Sequence, residues 1–451
     1  MLNLHKISYA IITLITISSA FCSNKPTNTT LAINEDIYSI NIKMDEYVIY
    51  SEIIGDYFKI DVSYMPDSNI TNEKIPAFYT TDGQWRGIDH KYIHYLTYKK
   101  LIRPVYVIGV GYPQGYDYGK IRERDLTDNP DKFSKAFSKE IIPFIEAKYK
   151  IDSKHRILYG ASYGGYFTLN SLLINESFRE LFETFIAACA VAKTSSAENK
   201  LYDAAKKSAA INKNLYFGVG SSDHPYIVKT NENLLNILST LNIISLNYSY
   251  YNYKDKDHYT VCRNVFIDGL LKYYGTDSKK TTGISDIIYQ QNKYTFENPA
   301  ELYDWSIMNS KPFDAAKKLS ISEKDSSVNK YSVKANLVFS KESTTGSIMM
   351  VFDHFENFKD KTLSADFFVS DEQNGKYEIA LKTQSTYNWI TDESNYVILN
   401  RKGWQKLVFN VNDCSKNGNP ELLRAIGFSI RKANTSADNT DEIIFTNVIW
   451  K

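Results

Sequence analysis

With 451 residues, the chain is too long for one typical core and is expected to form two domains, each able to bury its own apolar interior. Apolar residues make up 43% and charged residues 23%, which excludes the low-hydrophobicity, high-charge composition of disordered chains. A formal net charge of +1 argues against nucleic acid or an anionic membrane surface as a partner.

The N-terminus carries Lys6, an apolar run over 7–17 and the small residues Ser18, Ser19 and Ala20, which is the order of features in a secretory signal. The run is shorter than a bilayer-spanning helix requires. Export is expected, with residues 1–21 as signal peptide and cleavage after Ala20. The alternative is a lipid anchor at Cys22 ahead of the polar tether 23–30. Either route makes the protein secreted or cell-surface. The remaining Cys189, Cys262 and Cys414 are odd in number, sparse and without metal-like spacing, so they read as small buried apolar side chains.

From about residue 40 to 274, short β-rich runs alternate with helical ones, the pattern of a mostly parallel sheet covered by helices; this α/β domain is set at 30–275. Strands are expected at 57–64, 75–80, 105–110, 156–159, 185–190, 215–219 and 246–251, and helices at 132–149, 166–174, 228–241 and 261–274. Phe133, Phe137, Ile141, Phe144, Ile145 and Tyr149 share one face of the first helix, which Pro143 should bend or break. Residues 276–292 are rich in Lys, Ser, Thr, Asp and Gln, lack an apolar period and read as a linker. Beyond it, runs at 331–339, 347–352, 363–369, 377–383, 396–399, 404–411, 425–430 and 443–450 predict an antiparallel sandwich filling 293–451.

The sharpest local signal is Gly160-Ala161-Ser162-Tyr163-Gly164-Gly165, between the predicted strand 156–159 and helix 166–174. A serine that presents its hydroxyl above a sheet sits on a tight strand-to-helix turn, where glycine is needed on both sides. The following helix aims backbone N–H groups at the site, so the Tyr163 N–H is a candidate oxyanion donor. Serine needs a base, and histidine has the suitable pKa. Of seven histidines, His5 lies in the signal, His90, His94 and His155 precede the elbow and His354 lies in the second domain. That leaves His224 and His258. His258 follows the last strand of the first domain and precedes a helix, where this topology returns a loop over the nucleophile. Asp223, past the strand 215–219, completes the chain order Ser, Asp, His of the α/β-hydrolase fold. Asp255 and Asp257 are rivals for the acid; His224 is then a rim residue. Arg122, Arg124 and Asp125 form a charge cluster, either solvated or internally paired. Trp85, Tyr112, Tyr116 and Tyr118 are candidates to line an aromatic-accepting cleft, with core packing as the alternative.

Five blocks in order resemble the "putative esterase" family of enterochelin esterases, esterase D, feruloyl esterases and antigen 85 acyltransferases. They are 78–85 (FYTTDGQW), 107–112 (VIGVGY), 122–127 (RERDLT), the Ser162 elbow and Asp257-His258. The resemblance implies an α/β-hydrolase with a triad of Ser162, Asp223 and His258, a second oxyanion donor from the backbone of Gly83 or Gln84, and no cofactor for catalysis. Asp128 replaces a common Pro, and Asp223 stands where several members carry Glu.

Residues 290–451 bear a weaker resemblance to carbohydrate-binding modules with a galactose-binding-like jelly roll, resting on Phe296-Glu297, Trp305, Gly403-Trp404, Ala425-Ile426-Gly427 and Asn447-Val448. Such modules often hold a structural calcium. Glu297 and Asn447 are the candidates for it here, against which Thr446 occupies the expected acidic position, and hard cations want several oxygen ligands. Tyr387 and Trp389 alternate onto one face and are candidates to stack on a sugar. The expected function is therefore a secreted carbohydrate esterase removing acetyl or feruloyl groups from polysaccharide through an acyl-enzyme, with the C-terminal module holding it on its substrate. The alternatives are an acyltransferase of antigen 85 type, a siderophore (enterochelin-like) esterase acting on a small ester, and a surface glycan-binding protein on an inactive hydrolase scaffold.

Overall fold

The computed structural model describes residues 40–66, 73–113, 116–208, 210–241, 243–276, 293–297, 299–307, 319–322, 331–339, 344–385, 391–416, 418–433 and 439–451. The expected signal, Cys22, nearly all of the expected linker, Tyr387 and Trp389 lie outside the described residues.

Eight strands build the first sheet: β1 Lys43–Ser51, β2 Asp56–Tyr64, β3 Ile75–Thr81, β4 Tyr106–Gly111, β5 Ile151–Ala161, β6 Thr184–Ala188, β7 Ala210–Gly220 and β8 Ile244–Tyr253. Their spatial order is β1-β2-β4-β3-β5-β6-β7-β8. β2 runs antiparallel to both β1 and β4, and the strands from β4 to β8 are parallel. This is an α/β-hydrolase-like fold. β3, β4 and β6 are buried along their whole length, because helices cover both faces of a parallel sheet and leave no face for water.

The helices are α1 Gly87–Tyr98, α2 Tyr118–Glu123, α3 Pro130–Ala136, α4 Ile142–Glu146, α5 Tyr163–Leu173, α6 Glu176–Arg179, α7 Ser195–Lys207, α8 Pro225–Thr240 and α9 Val261–Tyr274. One face of the sheet packs against Phe133, Phe167, Leu201 and Leu234, the other against Ile93 and Leu96 of α1 and Val265, Phe266 and Leu270 of α9. The helix expected at 132–149 is divided into α3, a wide π-helical turn at Phe137–Ile141, and α4. Pro143 has no N–H and its ring crowds the carbonyl four residues back, so the backbone widens just before it. Phe133, Phe137, Ile141 and Ile145 still reach the core.

Chain order sets the site. From β3 the chain goes to β4 on one side and then returns to β5 on the other, which opens a crevice at the carboxyl ends of β3 and β5.

Beyond residue 292 the described strands form two six-stranded antiparallel sheets. One runs Trp305–Ile307, Thr345–Glu356, Leu423–Lys432, Tyr377–Gln384, Thr391–Glu393, with Val397–Ile398 also on Tyr377–Gln384. The other runs Leu319–Ser322, Ser332–Phe339, Asn439–Trp450, Thr362–Val369, Gly403–Asn410, with Lys293–Tyr294 on Asn439–Trp450. Phe428 of the first sheet meets Phe367 and Phe445 of the second. The arrangement is compatible with a β-sandwich. Ile40 and Tyr95 of the α/β part join this second core. Lys91 of α1 and Asp304, whose side chains are 3% and 5% exposed, form an ion pair of 2.5 Å between the two parts.

Candidate active site

Five strand ends of the parallel sheet supply the site. Past β5, Ser162 adopts φ 58° and ψ −120°, a left-side conformation that costs a non-glycine residue energy and persists only where its surroundings enforce it. The enforcement is visible. The Ser162 N–H donates to the Ala188 carbonyl at 2.9 Å, and the Val191 N–H donates to the Ser162 carbonyl at 3.3 Å. A Cβ on Gly160 would lie 2.2 Å from the Gly164 carbonyl oxygen, and one on Gly164 would lie 2.3 Å from Thr81 Oγ1. The two glycines therefore let the strand and helix close over each other. Tyr163 begins α5, so its N–H is among the helix donors without an intrahelical acceptor.

Past β7, Asp223 is buried, its side chain 1% exposed. Its Oδ1 accepts from the His224 N–H at 2.6 Å and its Oδ2 faces His258 Nδ1 at 3.0 Å. A carboxylate on Nδ1 fixes that nitrogen as the donor and leaves Nε2 as the basic position. Burial pulls the His258 pKa down, but the hydrogen bond and charge of Asp223 outweigh it and hold the imidazole above its ordinary 6.5. The two loops are laced by main-chain bonds: the Ser221 N–H donates to the Tyr253 carbonyl and the Ser222 N–H to the Lys256 carbonyl, at 2.8 and 2.9 Å. The rival acids do not take this place. Asp257 Oδ1 accepts from the N–H groups of Tyr259 and Thr260 and from the Thr260 hydroxyl, and the carboxylate on His258 Nδ1 is that of Asp223 rather than Asp255. His224 is the N-cap of α8, its Nδ1 accepting from the Tyr226 N–H at 3.2 Å.

Past β6, Cys189 packs against the His258 main chain and Cys262. Its thiol donates to the His258 carbonyl at 3.3 Å, the Cys262 thiol donates to the same oxygen at 3.4 Å, and the sulfurs are 3.9 Å apart. Burial pushes the Cys189 thiol up, whereas Cys262 is lowered to about 7, chiefly by its bond to Cys189 and also by Arg86 and His258. Cys189, Asp223 and His258 are the group of potential metal ligands that comes together among the described residues, within 4.8 Å. The donor set fits a metal poorly, because Cys189 is held protonated and His258 Nδ1 is already bonded to Asp223. The Ser162 hydroxyl makes no hydrogen bond among the described residues. In enzymes of this chemistry the nucleophile-to-base bond commonly closes only with substrate bound.

Past β3, the turn Gly83–Trp85 packs on β4 so closely that a Cβ on Gly83 would lie 2.6 Å from the Gly109 carbonyl carbon. Gln84 Oε1 accepts from the Tyr112 N–H at 3.3 Å, and its buried Nε2 has no partner among the described residues. Asp82, at φ 59°, is clasped by Arg122 through two bonds of 2.9 and 2.8 Å. The Arg122 guanidinium lies over both Trp85 and Tyr163, at 5.3 and 5.1 Å. Trp85, 47% exposed, meets the Tyr118 ring edge to face. These rings form an aromatic rim beside Ser162. Tyr112 does not join it: at 2% exposure it packs on Phe58 in the core, so the sequence-level cleft assignment is corrected for this residue. Its place opposite Phe58 on the strand-β2 side depends on tertiary packing that an isolated aromatic does not announce. Arg124 pairs with Asp125 and Asp56, which resolves the charge cluster as internal ion pairs.

Sequence reasoning missed the Cys189–Cys262 pair, Asp82 as the partner of Arg122, and a buried pair below the turn Gly83–Trp85. In that pair Ser63 Oγ bridges His90 Nδ1 at 2.7 Å and His94 Nε2 at 2.8 Å. The i, i+4 spacing of the two histidines on a helix was the available signal. In the C-terminal part, Glu297 is exposed, the Asn447 amide donates to Asp366, and the Thr446 hydroxyl donates to the carbonyls of Thr295 and Tyr331. The bonds recorded for Asn447 and Thr446 thus run to protein groups at the position where the resemblance places calcium.

Residues 51–260 match the family model described as "Putative esterase". The ferri-bacillibactin esterase BesA of Bacillus subtilis (strain 168) is 29% identical over 104 residues, covering 19% of this chain and 35% of that protein. The chain thus aligns with about a third of that relative's length. Among solved structures, the BES protein from Bacillus cereus superposes with a TM-score of 0.45 at 21% identity, over 52% of this chain and 96% of that one. Siderophore hydrolase EstB from Aspergillus nidulans gives 0.44 at 18%, over 51% and 94%. The family match supports an ester-hydrolysing enzyme; it ends before the C-terminal sheets.

Proposed function

We propose that this protein is a serine esterase in which Ser162 attacks the ester carbonyl, His258 Nε2 takes and returns the proton, and Asp223 holds the imidazole in the required tautomer. The observation that carries the reading is the Asp223–His258 bond of 3.0 Å at the ends of β7 and β8, beside a strained Ser162 at the end of β5. Attack forms a C–O bond and a tetrahedral oxyanion, for which the N–H groups of Tyr163 and of Gly83 or Gln84 are the donors. Collapse expels the alcohol with the proton from His258. Water, deprotonated by the same nitrogen, then releases the acid and restores Ser162.

For the substrate, a siderophore ester is the better-supported choice. The ferri-bacillibactin esterase of Bacillus subtilis aligns with part of the chain, and the rim of Trp85, Tyr118 and Arg122 suits a ligand with flat, electron-rich acyl groups. Feruloyl groups on polysaccharide would use the same rim and remain the second reading; acetyl groups would not need it. The expected N-terminal signal makes the site of action extracytoplasmic.

The test is labelling of purified protein with a fluorophosphonate, located by peptide mass spectrometry, followed by parallel assays on a ferric siderophore trilactone, feruloylated xylan and acetylated xylan. Modification of Ser162 and cleavage of the trilactone support the proposal. Absence of labelling in folded protein would refute the mechanism, and release of ferulate alone would transfer the substrate to polysaccharide.

A further inference from the structure

The C-terminal sheets touch the reaction machinery. Arg424, in the strand Leu423–Lys432, lays its guanidinium over the Tyr259 ring, 4.5 Å from the centroid. Tyr259 directly follows His258 and meets the imidazole edge to face, with centroids 5.3 Å apart and planes at 88°. A second contact reaches the oxyanion side. Lys91, paired with Asp304, sits on α1, which starts two residues after the turn Gly83–Trp85. Tyr95 on the same helix enters the C-terminal core.

Tyr259 is 38% exposed, so burial alone does not fix its ring, and a cation over its face restricts where it can turn. The imidazole beside it has little side-chain freedom to spare. It must keep Nδ1 on Asp223 while bringing Nε2 to Ser162, and every population of another rotamer subtracts from the reactive fraction. We infer that the C-terminal sheets are part of the catalytic apparatus, and that Arg424 is a positioning residue, holding Tyr259 so that its ring limits the swing of His258. This inference rests on the esterase reading. It differs from a role for the C-terminal part as a separable module that only retains the enzyme on a substrate.

The experiment uses the full chain as wild type, Arg424→Ala, Arg424→Lys and Arg431→Ala. Arg431 is a control on the same strand, stacked over Tyr396 at 3.8 Å within the C-terminal part. Two quantities are read: kcat and KM on p-nitrophenyl acetate, and hydrogen–deuterium exchange of the peptide spanning 255–260. Loss of a partly exposed cation–π contact predicts a kcat lowered about two- to fivefold for Arg424→Ala, with KM unchanged and faster exchange in 255–260. Lysine, which keeps the cation, restores part of both, and Arg431→Ala changes neither. Exchange in 255–260 identical between wild type and Arg424→Ala overturns the brace whatever the activity, as does a kcat loss equally large in Arg431→Ala. Wild type without esterase activity but with faster exchange in Arg424→Ala leaves the brace standing and removes the esterase reading instead.

Discussion

The buried histidines beneath the turn Gly83–Trp85 make the protein acid-sensitive in a calculable way. His90 and His94 share Ser63 Oγ, and a single hydroxyl proton serves one ring while the other ring donates back, so both are held neutral. Burial, with the neighbouring His94 and Lys59, lowers His90 from 6.5 to about 3; burial lowers His94 to about 4 against the opposing bond to Ser63. For a base whose folded pKa is depressed, the unfolded chain binds the proton first. Stability is therefore full above pH 6.5, falls as the pH drops through 6.5, and levels off below the folded values. At pH 5 each unfolded histidine is protonated and each folded one is not, a cost of about 2 kcal/mol apiece and about 4 kcal/mol for the pair relative to pH 8. Urea denaturation at pH 8 and pH 5 measures it, with a His90→Gln, His94→Gln double variant as reference. The variant is less stable at pH 8 but should lose about 4 kcal/mol less between the two pH values than wild type. Equal losses in the two proteins would refute the neutral-pair argument. His90 Nε2 also lies close to Gly109, which backs Gly83, so esterase activity should fail in the same acid window.

Ser162→Ala should abolish fluorophosphonate labelling and reduce ester turnover by roughly 10³-fold or more without changing the melting temperature, as steady-state kinetics and calorimetry would show. Because Asp223 holds His258 above 6.5 and the base works only when neutral, kcat/KM should rise with pH through an apparent pKa above 6.5. Asp223→Asn should move that limb to lower pH and cut kcat by roughly 10⁴-fold; a limb that stays in place assigns it to another group. Gly83→Ala, whose Cβ would collide with the Gly109 backbone, should displace the turn and lower kcat about 10²-fold, the scale of one lost oxyanion donor. Asp304→Ala removes the carboxylate paired with buried Lys91 at the contact between the two parts and should cost about 3–5 kcal/mol in chemical denaturation.

Local features were legible where the chain's own pattern decides the structure. The helix expected at 261–274 is α9 to the residue, because its apolar period ends at Gly275. The elbow was legible for the same reason, since its two glycines answer the close approach of strand and helix on either side of Ser162. The strand β1, the helix α1 and the helix α7 were not read from the pattern. Their burial is set by neighbours: α1 buries His90, Lys91 and His94 along with its apolar residues, so no polar face marks it. Thr194, which caps α7 by accepting from the Ala197 N–H, was the available sign for that helix. The long-range pairings that shape the site, Arg122 with Asp82 and Arg424 with Tyr259, join residues that no periodicity links. The cysteines show the limit most clearly, because reading them as small buried side chains is sound for Cys414 and incomplete for the two that converge on the His258 carbonyl.

The stitching of the Asp223 loop to the His258 loop has a mechanical result. Asp223 and His258 ride on one piece formed by the ends of β7 and β8, and the end of β6 ties that piece to the bend carrying Ser162, through the Cys189 thiol on one side and the Ala188 carbonyl on the other. A substitution that loosens any one of these strand ends would therefore shift the alignment of all three side chains at once.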